Sequence, residues 1–148
     1  MDVLHIQIER LSGNDDLPFP AYMTDKAAGM DIYAAVQEDI KLSPGERLMV
    51  PTGFAVSIPE GYEAQIRPRS GLAFKNGITL INAPGTIDAD YRGEIKILLV
   101  NLGQESFIIR RGDRIAQMTL HRVCKVEWEA CSQLDTTKRG HGGFGHTG

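Results

Sequence analysis

An all-β fold, a sandwich or barrel with at most one short helix, is what three features of this 148-residue chain predict. Apolar and polar residues alternate with period two in several runs, Gly/Pro turn signals recur at short intervals, and only one stretch reads as helical. Leu4, Ile6 and Ile8 alternate with His5, Gln7 and Glu9, the pattern of a half-buried strand. Ser43-Pro44-Gly45-Glu46 suits a type II turn, with Pro second and Gly third. Phe54-Val56-Ile58 and Tyr62-Ala64-Ile66 are further alternating strands, separated by the turn Pro59-Glu60-Gly61. Ser70 to Phe74 is the helical stretch, with Ser70 as its expected N-cap.

After the turn Lys75-Asn76-Gly77 comes a short apolar strand, Ile78 to Ile81, and then the turn Ala83-Pro84-Gly85. From Gly93 to Leu102, Ile95, Ile97 and Leu99 are in phase while Leu98 and Val100 lie on the other face, so burial on both sides is expected. Arg111-Gly112-Asp113 turns into a strand carrying Gln117, and Cys124-Val126-Trp128 gives the last alternation. A barrel domain over residues 1–135 and a flexible lid over 136–148 complete the expected organisation.

With 42% hydrophobic residues the chain can fill one core. No run approaches the ~20 apolar residues of a membrane span, and the N-terminus shows no basic-then-apolar signal pattern. Cys124 and Cys131 are too few for a disulfide framework, which fits a reducing cytosol with both in or near a strand. The four histidines form no zinc-like cluster. A net charge of −3 argues against nucleic acid as a partner. A small phosphorylated ligand needs only a local cationic focus, and Arg67 with Arg69, the group Arg110, Arg111 and Arg114, and Arg139 supply candidates.

Five stretches carry chemistry. In Ala28 to Ala35 one carboxylate, Asp31, stands among small apolar residues; hydrated Mg²⁺ or an arginine would offset its charge. Arg67-Pro68-Arg69-Ser70-Gly71 ends a strand and opens the helical turn, with amides, a hydroxyl and charge for phosphate. Asn82 to Glu94 joins two strands through a loop with Asp88, Asp90 and Tyr91. It reads either as a base-binding hairpin with Asp88 as general base or as a polar hairpin with turn-forming aspartates. Arg111 to Gln117 offers the Gln117 amide to phosphate or is a plain surface turn. The tail, Arg139 to Gly148, combines a cation, a ring at Phe144 and five glycines, which suits a flap over a nucleotide or an unstructured terminus.

In their order, Ala-Gly-Met-Asp-Ile-Tyr-Ala-Ala, Pro-Arg-Ser-Gly-Leu-Ala, Gly-Thr-Ile-Asp-Ala-Asp-Tyr-Arg-Gly-Glu, Arg-Ile-Ala-Gln and Arg-Gly-x-Gly-Gly-Phe-Gly resemble the five motifs of the trimeric deoxyuridine triphosphate nucleotidohydrolases (dUTPases). The resemblance implies a jelly-roll-like fold, a homotrimer with sites at subunit interfaces, Mg²⁺, and hydrolysis of dUTP to dUMP and pyrophosphate. That reaction keeps uracil out of DNA and supplies dUMP for dTMP synthesis.

By the same resemblance Asp31 holds waters of the Mg²⁺ shell, and Arg69, Ser70, Gly71 and Gln117 bind the triphosphate. Asn82 and the hairpin backbone from Gly85, Thr86 and Ile87 to Lys96 read uracil. Asp88 activates the attacking water, and Tyr91 packs on the deoxyribose. Arg139 meets the γ-phosphate, Phe144 stacks on uracil, and Gly145, His146 and Thr147 close on the phosphates. His146 departs from the serine of many members. Two alternatives are a dCTP deaminase, which shares fold and trimer, and a non-catalytic trimeric β-module; Asp88, Tyr91 and the full tail favour the dUTPase.

Overall fold

The computed structural model describes residues 3–145 and arranges eleven strands and one short helix in four antiparallel sheets. Of the N-terminal alternation only its end forms a strand, β1 (Gln7–Arg10), paired with β5 (Phe54–Ser57), while Leu4 and Ile6 precede it. Strand β3 (Ile40–Leu42) pairs with β10 (Phe107–Ile109). A three-stranded sheet runs β4 (Arg47–Pro51), β9 (Lys96–Asn101), β7 (Ile78–Leu80). A four-stranded sheet runs β2 (Met30–Tyr33), β11 (Arg114–Arg122), β6 (Tyr62–Arg67), β8 (Gly85–Ile87). The β-rich arrangement is jelly-roll-like.

Inward residues of the two larger sheets meet in one core. Ile32, Ala64, Ile66, Ala116 and Met118 come from one, and Val50, Leu80, Ile97 and Leu99 from the other. Burying each large aliphatic side chain stabilises by roughly 1.5–3 kcal/mol, so period-two alternation fixes which face of every strand turns inward. The expected burial is found on the inner face of β9, where Ile97 and Leu99 are solvent-free, as is Ile95 just before the strand; Val100 is also buried and Leu98 partly so. Buried Asn101 is satisfied by Leu42 O, Glu105 O and the amide of Gly103.

Turns form where their residue types require. Gly45 takes φ +82° and the amide of Glu46 donates to Ser43 O at 3.0 Å, the expected Pro-Gly turn. Gly77, at φ +68°, closes α1 (Ser70–Asn76) as its left-handed cap. Arg111 staples the N-terminal loop to the body: it pairs with Asp16 at 2.7 Å and donates to Gly13 O and Val36 O. That guanidinium, hydrogen-bonded to Asp16, lowers its carboxyl to about 2.

Two expectations are corrected. Ser70 is the first helical residue rather than the N-cap; Arg69, extended at φ −89° and ψ 128°, holds that place, and no side chain caps the helix. Pro68 removes one amide donor just before the cap and disfavours the helical region for Arg67, so Arg69 is the first position free to turn. The expected strand at Cys124 to Trp128 is absent: regular structure ends at Arg122, and Cys124 and Cys131 are both exposed. An alternating pattern makes a strand only where another strand supplies hydrogen bonds and a surface to cover, and this segment meets neither within the protomer. Among the described residues no helix is long and apolar enough to cross a membrane.

Candidate active site

On the outer face of the four-stranded sheet, Asp31, Gln117 and Arg67 form one cross-strand row. Gln117 is in register with Asp31 on β2 and with Arg67 on β6. Directly opposed residues of antiparallel strands project to the same face, and Ile32, Ala64, Ile66, Ala116 and Met118 occupy the inner one. A β-bulge between Arg114 and Ala116 shifts the register, so Ile115 and Ala116 are both buried and Arg114 returns to the outer face. There its Nη1 donates to Asp31 Oδ2 at 3.1 Å. Arg69 Nε stands 3.4 Å from Asp31 Oδ1, and its Nη1 donates to Arg114 O. Asp31 thus sits between two guanidiniums, its side chain 13% exposed.

These residues line a cleft of about 440 Å³ with Gly29 and Thr119. Gly29 is there for space: a Cβ on it would overlap Gln117 Oε1 and lie 3.2 Å from Cδ. Gln117 Nε2 donates to Pro68 O at 3.0 Å, which ties it to the segment entering α1. Ser70 and Gly71 follow Arg69 directly, and both are exposed. Three guanidiniums against one carboxylate make the cleft anion-seeking.

The second group lies on the connection between β7 and β9. Those strands pair as expected, Ile78 with Asn101 and Leu80 with Leu99, but the connection detours so that β8 pairs with β6 of the other sheet. Gly85 is buried, with the Asn82 amide lying over its Cα, so that a Cβ would meet Nδ2 at 3.2 Å. Thr86 is exposed and Ile87 partly buried. Asp88 is exposed, and its carbonyl accepts from the amide of Tyr91 at 3.1 Å. Tyr91 packs over Gly93 and donates to Glu94 O at 2.9 Å; Lys96 is exposed, 4.0 Å from Glu94.

Within one protomer the two groups adjoin only at the start of this connection, where Ala83 and Pro84 share a hollow with Arg67 and Gln117, while Asp88 lies farther along. β8 opposes β6 with Ile87 at Ala64, so one further step brings Asp88 level with Glu63, four residues from the row of Arg67. At ~3.3 Å per residue that is ~13 Å along the strand. The tail is separate again: Arg139 Nε donates to Gly142 O within its own turn, and Phe144, at φ +50°, is fully exposed. Gly145 is exposed, while His146 and Thr147 lie outside the described residues.

Two cleft residues were given no role from the sequence: Arg67 stood out only as part of a cationic focus, and Arg114 as such a focus and as the first residue of Arg-Ile-Ala-Gln. The adjacent apolar pair Ile115-Ala116, which breaks period two, was the available signal of the bulge that brings Arg114 to Asp31. Arg110 and Arg111 of the same focus pair instead with Asp39 and Asp16, away from the cleft.

A family model described as dUTPase matches residues 15–148. Among curated relatives, the deoxyuridine 5'-triphosphate nucleotidohydrolase of Caulobacter vibrioides is 57% identical, over 98% of this chain and 95% of its own length. That of Ehrlichia canis is 55% identical, over 99% and 96%. Among solved structures, a variant dUTPase of Staphylococcus bacteriophage 80alpha with dUpNHpp superposes with a TM-score of 0.87 at 28% identity, covering 99% of each chain. A variant dUTPase from phage phi11 of S. aureus, described with a structural Mg(II) ion, gives 0.78 at 26% identity, over 88% of this chain and 98% of that one.

Proposed function

The chain belongs to the dUTPase family, and from that premise we propose how its residues hydrolyse dUTP to dUMP and pyrophosphate. The observation that carries the reading is the row Asp31–Gln117–Arg67 with Arg69 and Arg114, a cationic cleft made of motif residues together with Arg67. Arg69, Ser70, Gly71 and Gln117 hold the triphosphate. Asn82 and the backbone of β8 up to Lys96 read the uracil edge, and Tyr91 packs on the deoxyribose. Asp88, exposed and acceptor-only when ionised, takes a proton from the water that attacks the α-phosphorus in line with pyrophosphate. The arginines hold the leaving group as its charge develops.

The donor chemistry fits Mg²⁺ of one kind. Among the described residues no group of three or more His, Cys, Asp or Glu forms a cage. A single carboxylate suits an ion that keeps its waters and rides on phosphates, so Asp31 would accept from those waters. When bound, the ion supplies charge neutralisation of the triphosphate.

A homotrimer completes the site. Two observations favour this: the ~13 Å step between the rows of Asp88 and Arg67, and a tail that buries little of itself. Trp128 is 92% exposed and Leu134 79%. Arg139 then reaches the γ-phosphate and Phe144 the uracil of a neighbouring subunit's site, with Gly145, His146 and Thr147 closing over the phosphates. Residues 136–148 thereby act as a lid on the domain formed by 1–135.

Pyrophosphate release measured across dUTP, dCTP, dTTP, dATP, dGTP and UTP, with and without Mg²⁺, tests the whole reading. Turnover confined to dUTP is expected, and ammonia release from dCTP would instead identify a deaminase.

A further inference from the structure

We infer that Arg67 is a further triphosphate-binding residue, docked on neutral partners until substrate arrives; the assignment rests on the cleft reading above. Arg67 shares a cross-strand row with Gln117 and Asp31 and lines the same cleft as Arg69 and Arg114. It also borders the adjoining hollow formed with Gln65, Pro68, Ala83 and Pro84. It therefore stands on the ridge between the phosphate cleft and the start of the base-reading connection.

Its hydrogen bonds set it apart from its neighbours. Arg69 and Arg114 both face Asp31, whereas Arg67 Nη2 donates to Gln65 Oε1 at 2.8 Å and meets His121 Nε2 at 3.2 Å. Among the described residues no carboxylate pairs with it. A guanidinium only donates, so the contact with His121 is a hydrogen bond in the tautomer whose Nε2 is unprotonated. Thr119 Oγ1, 2.8 Å from the same nitrogen, holds the ring in place.

Two bonds in which only the donor is charged are weaker than the frequently bidentate bonds between opposite charges that a phosphate offers. Arg67 is exposed, and among the described residues the hydrogen bonds of its guanidinium are made by Nη2 alone. Exchange of Gln65 and His121 for a phosphate oxygen is therefore downhill, and the resting contacts keep the fork over the sheet face. Arg69 and Arg114, by contrast, must share their charge with Asp31.

The test compares wild type with Arg67→Gln and Arg67→Lys in three measurements. These are affinity for a non-hydrolysable imido analogue of dUTP, affinity for dUMP, and steady-state dUTP hydrolysis. Loss of one charge-assisted contact lowers analogue affinity by about 10- to 100-fold. In Arg67→Gln, dUMP affinity stays at the wild-type value, and KM rises far more than kcat falls. Arg67→Lys keeps the charge without the fork and falls between the two. Melting temperatures of both variants stay within about 4 °C of wild type, because the side chain is exposed and its partners are neutral. Unchanged analogue affinity in Arg67→Gln, or equal weakening of analogue and dUMP, would overturn the assignment while leaving dUTP hydrolysis by the wild type intact. A wild type that neither binds the analogue nor releases pyrophosphate would refute the cleft reading, and the Arg67 assignment with it.

Discussion

Substituting Gly29 with alanine separates function from stability at a single Cα. The added Cβ would overlap Gln117 Oε1 and lie 3.2 Å from Cδ and 3.4 Å from Cβ of that residue. The overlapping atom is the far end of a flexible side chain, so Gln117 swings away and breaks its 3.0 Å bond to Pro68 O. That bond contributes about 1 kcal/mol. Replacing glycine where φ is ordinary returns about 0.4–1 kcal/mol through the unfolded chain, so the melting temperature should move by less than about 4 °C.

Binding is another matter. A hydrogen bond to a charged group is worth about 1.5–3 kcal/mol, and at 1.4 kcal/mol per decade its loss weakens binding by about 10- to 100-fold. Calorimetric titration with an imido analogue of dUTP should show this in Gly29→Ala, and the same loss in Gln117→Ala. The double variant decides the cause, since removing the Gln117 side chain removes the collision. Gly29→Ala/Gln117→Ala should bind no worse than Gln117→Ala alone. Additive losses, or wild-type affinity in Gly29→Ala, would refute the claim that Gly29 exists to seat Gln117.

Further expectations concern the rest of the site and the fold. Asp88→Asn should lower kcat by about 10²- to 10⁴-fold and leave analogue affinity nearly intact; parallel loss of both would contradict its role as base. Removal of residues 139–148 should cripple turnover without shifting the melting temperature, because the described part of that segment is mostly exposed and its hydrogen bonds stay within residues 137–142; normal turnover by the truncated chain would exclude a lid. In Gly93→Ala the new Cβ would collide with the Tyr91 hydroxyl and lie 2.7 Å from Cζ. Discrimination of dUTP over UTP should therefore fall, as read from the ratio of their kcat/KM values. The carboxyl of Asp16 is lowered from 3.8 to about 2 by Arg111. A depressed carboxylate stabilises the fold above its unfolded value and loses that contribution as pH falls through the folded one. The melting-temperature gap between wild type and Asp16→Asn should thus be full above pH ~5, shrink as pH falls through ~2 and be gone below it; a gap that does not shrink between pH ~5 and pH ~2 would exclude the pair as its source.

Much of the fold was legible because period two reports directly on burial. Ala64-Ile66 and Ile95-Ile97-Leu99 face the core as their alternation requires, whereas in β5 Ala55 is buried along with Phe54 and Val56. Short strands such as β3 and β10 give too few residues for a period to show, and pairing alone defines them. The alternation at Cys124 to Trp128 misled because local pattern says nothing about the availability of a partner strand.

The sequence by itself determined which residues are candidates for the chemistry: Asp31, Asp88, the arginines, Gln117, Tyr91 and the glycine-rich tail. Which of them meet is a matter of non-local pairing. Asp31 and Arg114 lie 83 positions apart and touch only because β2 and β11 pair across a bulge. Gly29 reads as an ordinary small residue until Gln117 is laid against it. Chain order lists the groups, but hydrogen-bond register between distant strands sets their distances, and charge, collision and binding all depend on distance.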